Sequence, residues 1–272
     1  MHATRFAPRI LRHCLPFLGL LLLSPLGCHT RDRSQTPATF RVMTYNIHHG
    51  AGLDGKLDLQ RIADLIQRER ADIVALQEVD KGVQRTDRRD LPAELAALTG
   101  LTWLFSNNFH YQGGEYGNAL LTRYPVRRWA NTHCSRLSPG EQRGVLQAVL
   151  QVQGRELVVL DTHFDLSEAE RLRNADAIHQ LVPSYRPNPI ILCGDFNANP
   201  GSSVYRRLAE QFADAWPLAG GGEGNTFPAD KPSRRIDFIW LSATNSLVPL
   251  RAWVPQTDAS DHLPVVADLQ LR

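Results

Sequence analysis

Apolar residues recur in two rhythms along this chain. FRVMTYN at 40–46 alternates and predicts a half-buried strand. LDLQRIADLIQRE puts Leu59, Ile62, Leu65 and Ile66 on one helical face. ADIVALQE at 71–78 reads as a buried strand. LPAELAALT predicts a short helix with Asp90 as its cap. Strands are predicted around 102–105, 118–122, 144–152 and 156–162. SEAERLRNADAIHQLV predicts a helix beginning near Ser167. NPIILCGD predicts a strand and SSVYRRLAEQ a helix. RIDFIWLS, RAWVP and LPVVADLQL supply the last strands. This order is not a clean βαβ alternation. It predicts an α/β fold, with two sheets packed face to face and helices outside. No internal repeat or heptad run is visible. The glycine-rich loop at 220–224 lacks the GK[ST] of a phosphate-cradling motif.

The first 27 residues fall outside this pattern. Arg5, Arg9 and Arg12 precede LPFLGLLLL at 15–23, and no acidic residue occurs before Asp32. A basic stretch followed by a short apolar run is expected to be a secretory signal; the alternative is an uncleaved anchor. The stretch ends SPLGC, similar to a bacterial lipobox, although Pro25 stands where leucine is usual. Cys28 is therefore expected to carry lipid and tether the chain to a membrane surface. Residues 28–39 read as a polar tether, and residues 40–272 as one domain. The expected location is the cell envelope, facing periplasm or exterior, with the chain a monomer.

Composition narrows the partners. The chain has 272 residues, 43% hydrophobic and 21% charged, with a formal charge of +2. Loss of the three signal arginines turns that charge slightly negative. Nonspecific nucleic-acid binding draws its affinity from phosphate neutralisation, so such a charge weakens it. Cys134 and Cys193 would remain in the mature chain; export permits a disulfide between them, or Cys193 is a buried thiol.

Polar groups gather at the ends of apolar strands. Asn46 ends the first and Glu78 the second. Asp161, Thr162 and His163 end a third, and Asp195 and Asn197 follow a fourth. Asp237 lies inside RIDFIW, while Asp261 and His262 open the last strand. Strand ends on one side of a sheet converge, so these residues would form one cluster. A charge within an apolar strand needs a partner, and His262 could serve Asp237. Oxygen-rich clusters with few histidines suit a hard cation such as Mg²⁺.

TYNIHHG, LQEVD, GNALLTRYP, DTHFD, GDFNANP, RIDFIW and SDHLPV occur in that order. Together they resemble the endonuclease/exonuclease/phosphatase superfamily, which includes deoxyribonucleases, abasic-site endonucleases, sphingomyelinases and inositol phosphatases. The resemblance covers residues 40–272. It implies a four-layered α/β sandwich with two central mixed sheets, and phosphoester hydrolysis dependent on Mg²⁺, with Mn²⁺ as the alternative. Glu78 would be the principal metal ligand, helped by Asn46 and Asp261. Asp195 would orient or deprotonate the attacking water. Asn197 would hold the phosphate or nucleophile, and His163 would donate to a phosphate oxygen. His262, held by Asp237, would move protons or stabilise charge. One metal or two stays open.

Substrate recognition is less defined. Asn118 matches a family position near the site, and Arg143 pairs with phosphate or sits in a surface salt bridge. Arg85, Arg88 and Arg89 form a phosphate-attracting lip or a solvated loop. Phe109, Tyr111 and Tyr116 flank a flexible loop and could stack on bases, dip into lipid or pack the loop. His48 occupies a position that is acidic in abasic-site endonucleases, which disfavours that chemistry. The basic substrate motif of the inositol phosphatases is also missing. The TYNIHHG opening resembles a bacterial branch similar to proteins linked to lipid-anchor remodelling. It implies a lipid head group or similar phosphodiester as substrate, with extracellular DNA or RNA as the alternative.

Overall fold

The computed structural model describes residues 38–243 and 246–272. The expected signal, lipidated cysteine and most of the tether lie outside the described residues. Strand β1 (Ala38–Asn46) leads through helix α1 (Leu59–Glu69) to β2 (Ile73–Lys81). Helix α2 (Leu91–Thr99), β3 (Thr102–Tyr111) and β4 (Gly114–Thr122) follow. β5 (Val126–His133), β6 (Gly144–Val152) and β7 (Arg155–His163) open the second half. Helix α3 (Glu168–Leu181) leads to β8 (Ile190–Asp195), α4 (Ser203–Ala209), β9 (Phe212–Asp214) and α5 (Ala215–Ala219). β10 (Asp237–Ser242), β11 (Leu247–Trp253) and β12 (Val265–Leu271) complete the chain.

Two six-stranded mixed sheets result, in the orders β11-β12-β1-β2-β4-β3 and β5-β6-β7-β8-β10-β9. Near the middle of each sheet lies one parallel pair, β1 with β2 and β7 with β8. Parallel neighbours need a crossover, and α1 and α3 supply them. Alternation in β1 explains the layering. Phe40 and Val42 face the core between the sheets, while Met43 and Tyr45 face the helices α1 and α2. A third core joins the outer face of the second sheet to α3 and α4. The fold is therefore the expected four-layered α/β sandwich.

Local chemistry sets the ends of the elements. Asp58 accepts from Gln60 N at the start of α1, and Asp90 caps α2 through Ala93 N, as expected. Ser167 precedes α3, although its side chain makes no capping bond. The expected flexible loop at 109–116 is instead a β-hairpin that pairs Phe109 with Tyr116 and Tyr111 with Gly114. Gln112 and Gly113 both have positive φ, the requirement of a two-residue type I′ turn. Cys134 and Cys193 are buried free thiols, and they lie in different cores on opposite faces of the second sheet.

Gly117, in the GNALLT motif, packs backbone against backbone. A Cβ there would meet Ser106 O at 1.8 Å. Gly117→Ala is expected to lower stability by about 3 kcal/mol, the upper range for overpacking a core. Urea denaturation monitored by tryptophan fluorescence checks this, and a loss under about 1 kcal/mol would show that the strand yields easily.

Candidate active site

The parallel pairs bring four strand ends to one end of the sandwich. Asn46 closes β1, His163 closes β7 and Asp195 closes β8, while Glu78 sits near the end of β2. Asp237 opens β10 directly opposite Asp195 in the antiparallel ladder.

Glu78 owes its direction to a bulge. Leu76 pairs with Ala119 and Val79 with Gly117, so Gln77 and Glu78 together oppose Asn118. Glu78 takes a φ of +59°, which swings its carboxylate out of the regular alternation. Gln77, buried, then crosses to the second sheet, where its Nε2 donates to Asp161 Oδ1 at 2.7 Å. Complete burial pushes Asp161 well above the usual carboxylate range, against the hydrogen bonds from Gln77 and backbone N–H groups. The Asn118 side chain is buried beside this contact and donates to Asp161 O at 3.1 Å. A polar seam thus ties the sheets together just beneath the site.

Asn46 is the hub above that seam. Its Nδ2 donates to Glu78 Oε1 at 3.0 Å and to Asp195 Oδ2 at 3.1 Å. Its Oδ1 accepts from His48 N at 3.0 Å. In this orientation Asn46 clamps two carboxylates, and its oxygen is held by backbone. Ser260 Oγ donates to Asn46 O at 2.8 Å and brings the 260–262 segment alongside.

On the second sheet, Asp195 Oδ1 accepts from Asn197 N at 2.9 Å. Burial and the neighbouring Asp237 push Asp195 up to about 7, opposed by His262 and by the Asn197 and Asn46 hydrogen bonds. His262 Nδ1 lies 3.0 Å from Asp237 Oδ2, and its Nε2 lies 3.7 Å from Asp195 Oδ2. Burial lowers the His262 pKa, but Asp237 and Asp195 outweigh it and raise it to about 10. Thr226, which carried no signal in the sequence, fixes Asp237 by donating Oγ1 to Oδ2 at 2.5 Å.

His163 is held through both ring nitrogens. Arg143 Nη1 lies 2.9 Å from its Nδ1, and a guanidinium can only donate. Nε2 lies 3.4 Å from the acceptor Asp195 Oδ2 and 3.2 Å from the donor Asn197 Nδ2. Burial, Arg143 and His262 hold this imidazole well below its ordinary pKa, so it stays neutral. Asn197, at φ +48°, also donates Nδ2 to Phe164 O at 3.1 Å. Arg143 is not a surface residue: its side chain is 7% exposed and ion-paired with Glu141.

The donor set suits a hard cation. Glu78 and Asp261 are partly exposed carboxylates near Asn46; Asp261 keeps 40% side-chain exposure. Such oxygens match Mg²⁺ or Mn²⁺. A second candidate group, Asp195, Asp237 and His262, has ligand atoms within 4.8 Å of one another. Its Asp237 and His262 are already bonded together.

A profile described as the endonuclease/exonuclease/phosphatase family matches residues 43–262, which span every group above. The chain belongs to this family. Members of the endonuclease/exonuclease/phosphatase family hydrolyse phosphoester bonds and generally depend on divalent metal. The chain is 30% identical over 253 residues to the uncharacterized protein YbhP of Escherichia coli, covering 86% of this chain and 97% of that one. It is similar in fold to the catalytic domain of human nocturnin, with TM-score 0.68 and 22% identity, covering 86% and 94%. A mannosyl-6-phosphatase of Bacteroides thetaiotaomicron gives TM-score 0.71 and 17% identity, covering 85% and 99%.

Proposed function

We propose that this chain is a Mg²⁺-dependent phosphodiesterase of the cell envelope, acting on a lipid head group or a similar diester. The observation that carries the reading is the convergence of Asn46, Glu78, His163, Asp195, Asn197, Asp237 and His262 at one end of two sheets. A Mg²⁺ bound by Glu78 and Asp261 would offset charge on a non-bridging phosphate oxygen. Asn46 holds Glu78 and Asp195 in register for this. Asp195 orients the attacking water and accepts its proton. His163 and Asn197, which flank Asp195, would turn their polar groups to the phosphate oxygens when substrate is bound. His262, kept protonated by Asp237, stabilises the developing negative charge.

Two further observations favour a lipid or other compact diester over nucleic acid. Three of the four arginines expected to attract phosphate, Arg88 being the fourth, already hold carboxylates: Arg85 with Asp80, Arg89 with Glu94 and Arg143 with Glu141. Counterion release needs unpaired cations, so these pairs weaken a nucleic-acid groove. Exposed leucines also mark the catalytic end: Leu53, Leu137 and Leu166 lie on the loops after β1, before β6 and after β7. Apolar side chains around a mouth can dip into a lipid interface.

Hydrolysis of phosphatidylinositol and sphingomyelin vesicles, bis(p-nitrophenyl) phosphate and plasmid DNA, each with Mg²⁺ or chelator, tests the reading. Expected is Mg²⁺-dependent cleavage of vesicle lipid and the small diester, with DNA cut at least about 100-fold more slowly. Rapid, salt-sensitive DNA nicking would establish the nuclease instead.

A further inference from the structure

Directly after Asn46 the backbone turns left-handed. His48, His49 and Gly50 have φ of 45°, 44° and 87°. Gly50 N donates to Ile47 O at 2.8 Å and Ala51 N to His48 O at 2.9 Å, closing the turn. This backbone is easy for glycine, tolerable for asparagine and unfavourable for other L residues. Gly50 therefore fits its position, while two consecutive histidines carry a backbone cost there.

The turn has a backbone role, since His48 N–H holds Asn46 Oδ1. Glycine or asparagine would perform it with less strain. The imidazoles need their own reason. They stack edge-on with centroids 4.4 Å apart. Both residues are half-buried, and the His48 side chain keeps 39% exposure. Both Nδ1 atoms are buried without a hydrogen-bond partner among the described residues, and that of His48 lies 3.9 Å from Asp261 Oδ1, beyond bonding range.

The other side of the pair is equally built. Arg85 feels the charge of Glu78 and lowers the His49 pKa. Asp80, fully buried, grips Arg85 through Nε at 2.8 Å and Nη2 at 2.9 Å. The guanidinium lies over Tyr111 and Tyr116, 4.9 and 5.3 Å from their centroids. Burial, then Arg85 and His48, push His49 down to about 3, so its ring is neutral. The rim beside Glu78 and Asp261 is thus ring-faced and charge-matched. With a cation on Glu78 and Asp261, and His163 and Asn197 of the second sheet reaching the phosphate, the rings on the first-sheet rim are left for the part of the ester beyond the phosphate. Ring faces and ring nitrogens suit carbon-bound hydrogens and hydroxyl groups.

We propose that His48 and His49 are specificity-determining residues whose rings hold the alcohol portion of the phosphoester beside Glu78 and Asp261, and that their left-handed backbone is strain retained to aim them. Strain kept at a site rather than relieved is a mark of use. The inference rests on the phosphoesterase reading of the cluster.

The test is calorimetry with Mg²⁺ present, using the Asp195→Asn chain so that ligand is not consumed. Bis(p-nitrophenyl) phosphate and inorganic phosphate are the probes. Adding His48→Asn and His49→Asn is expected to weaken diester binding about tenfold and leave phosphate binding within about twofold. The melting temperature is expected to rise by ~2–4 °C as strain is released. Unchanged diester affinity, equal loss for both probes, no diester binding in the parent chain, or a lowered melting temperature would overturn the proposal. A wild-type chain that binds the diester without hydrolysing it would sink the hydrolase reading and leave the binding role of the two rings standing.

Discussion

Asp195→Asn is expected to lower turnover of bis(p-nitrophenyl) phosphate by about 10⁴-fold, the upper range for removing a general base. The substitution keeps shape and removes the proton acceptor. It also replaces an oxygen that now receives Asn46 Nδ2 at 3.1 Å and faces His163 Nε2 at 3.4 Å. An amide nitrogen there would set donor against donor. The fold should tolerate the change. Burial and Asp237 push Asp195 up to about 7, so its ionised form is disfavoured in the native state. A neutral amide relieves that repulsion, and the melting temperature is expected to stay level or rise. Rates measured beside thermal melts decide the matter. Turnover within tenfold of the parent would remove Asp195 from the reaction and move the base to another group.

Much of this site was legible because polar residues at the ends of apolar runs must go somewhere. Asn46, His163 and Asp195 stand at the ends of β1, β7 and β8, and parallel pairing brings those ends together. Asp237 inside an apolar run implied a partner, and His262 lies 3.0 Å away. Other features left no periodic trace. β5, VRRWANTH, is a largely exposed edge strand whose arginines and polar residues hide the alternation. Lengthening of β3 and β4 into a hairpin depends on Gln112 accepting a positive φ, which glycine alone advertises. Arg143 could be read as surface or site. Its burial follows from the 134–143 loop folding back, held by Cys134 N on Arg143 O and by Glu170 on Leu137 N. Thr226 sits eleven residues from Asp237 with no pattern to connect them. The arginines near the site were visible as charges. The carboxylates that match them were not, and those matches decide how a nucleic-acid substrate is judged.

Glu78→Gln is the second change expected to remove activity, by roughly 10³-fold, the scale of several kcal/mol of lost transition-state stabilisation. Glutamine can occupy the bulge, because the φ of +59° comes from the two-against-one pairing with Asn118 and not from the charge. It can also accept the Asn46 Nδ2 hydrogen bond through its carbonyl oxygen. What it cannot supply is an anionic oxygen for a hard cation. Calorimetric Mg²⁺ affinity should therefore fall together with turnover, while the melting temperature without metal stays near the parent value. Chelator should silence the parent chain, and added Mg²⁺ or Mn²⁺ should restore it. The variant should respond weakly to both. If Glu78→Gln bound Mg²⁺ as the parent does and lost only turnover, the cation would belong to another carboxylate set. Asp195 with Asp237 would then be the leading candidate, since their ligand atoms lie within 4.8 Å of one another and of His262. Full activity in chelator would instead leave Glu78 as a positioning partner of Asn46 and place the charge stabilisation on His262 and Arg143.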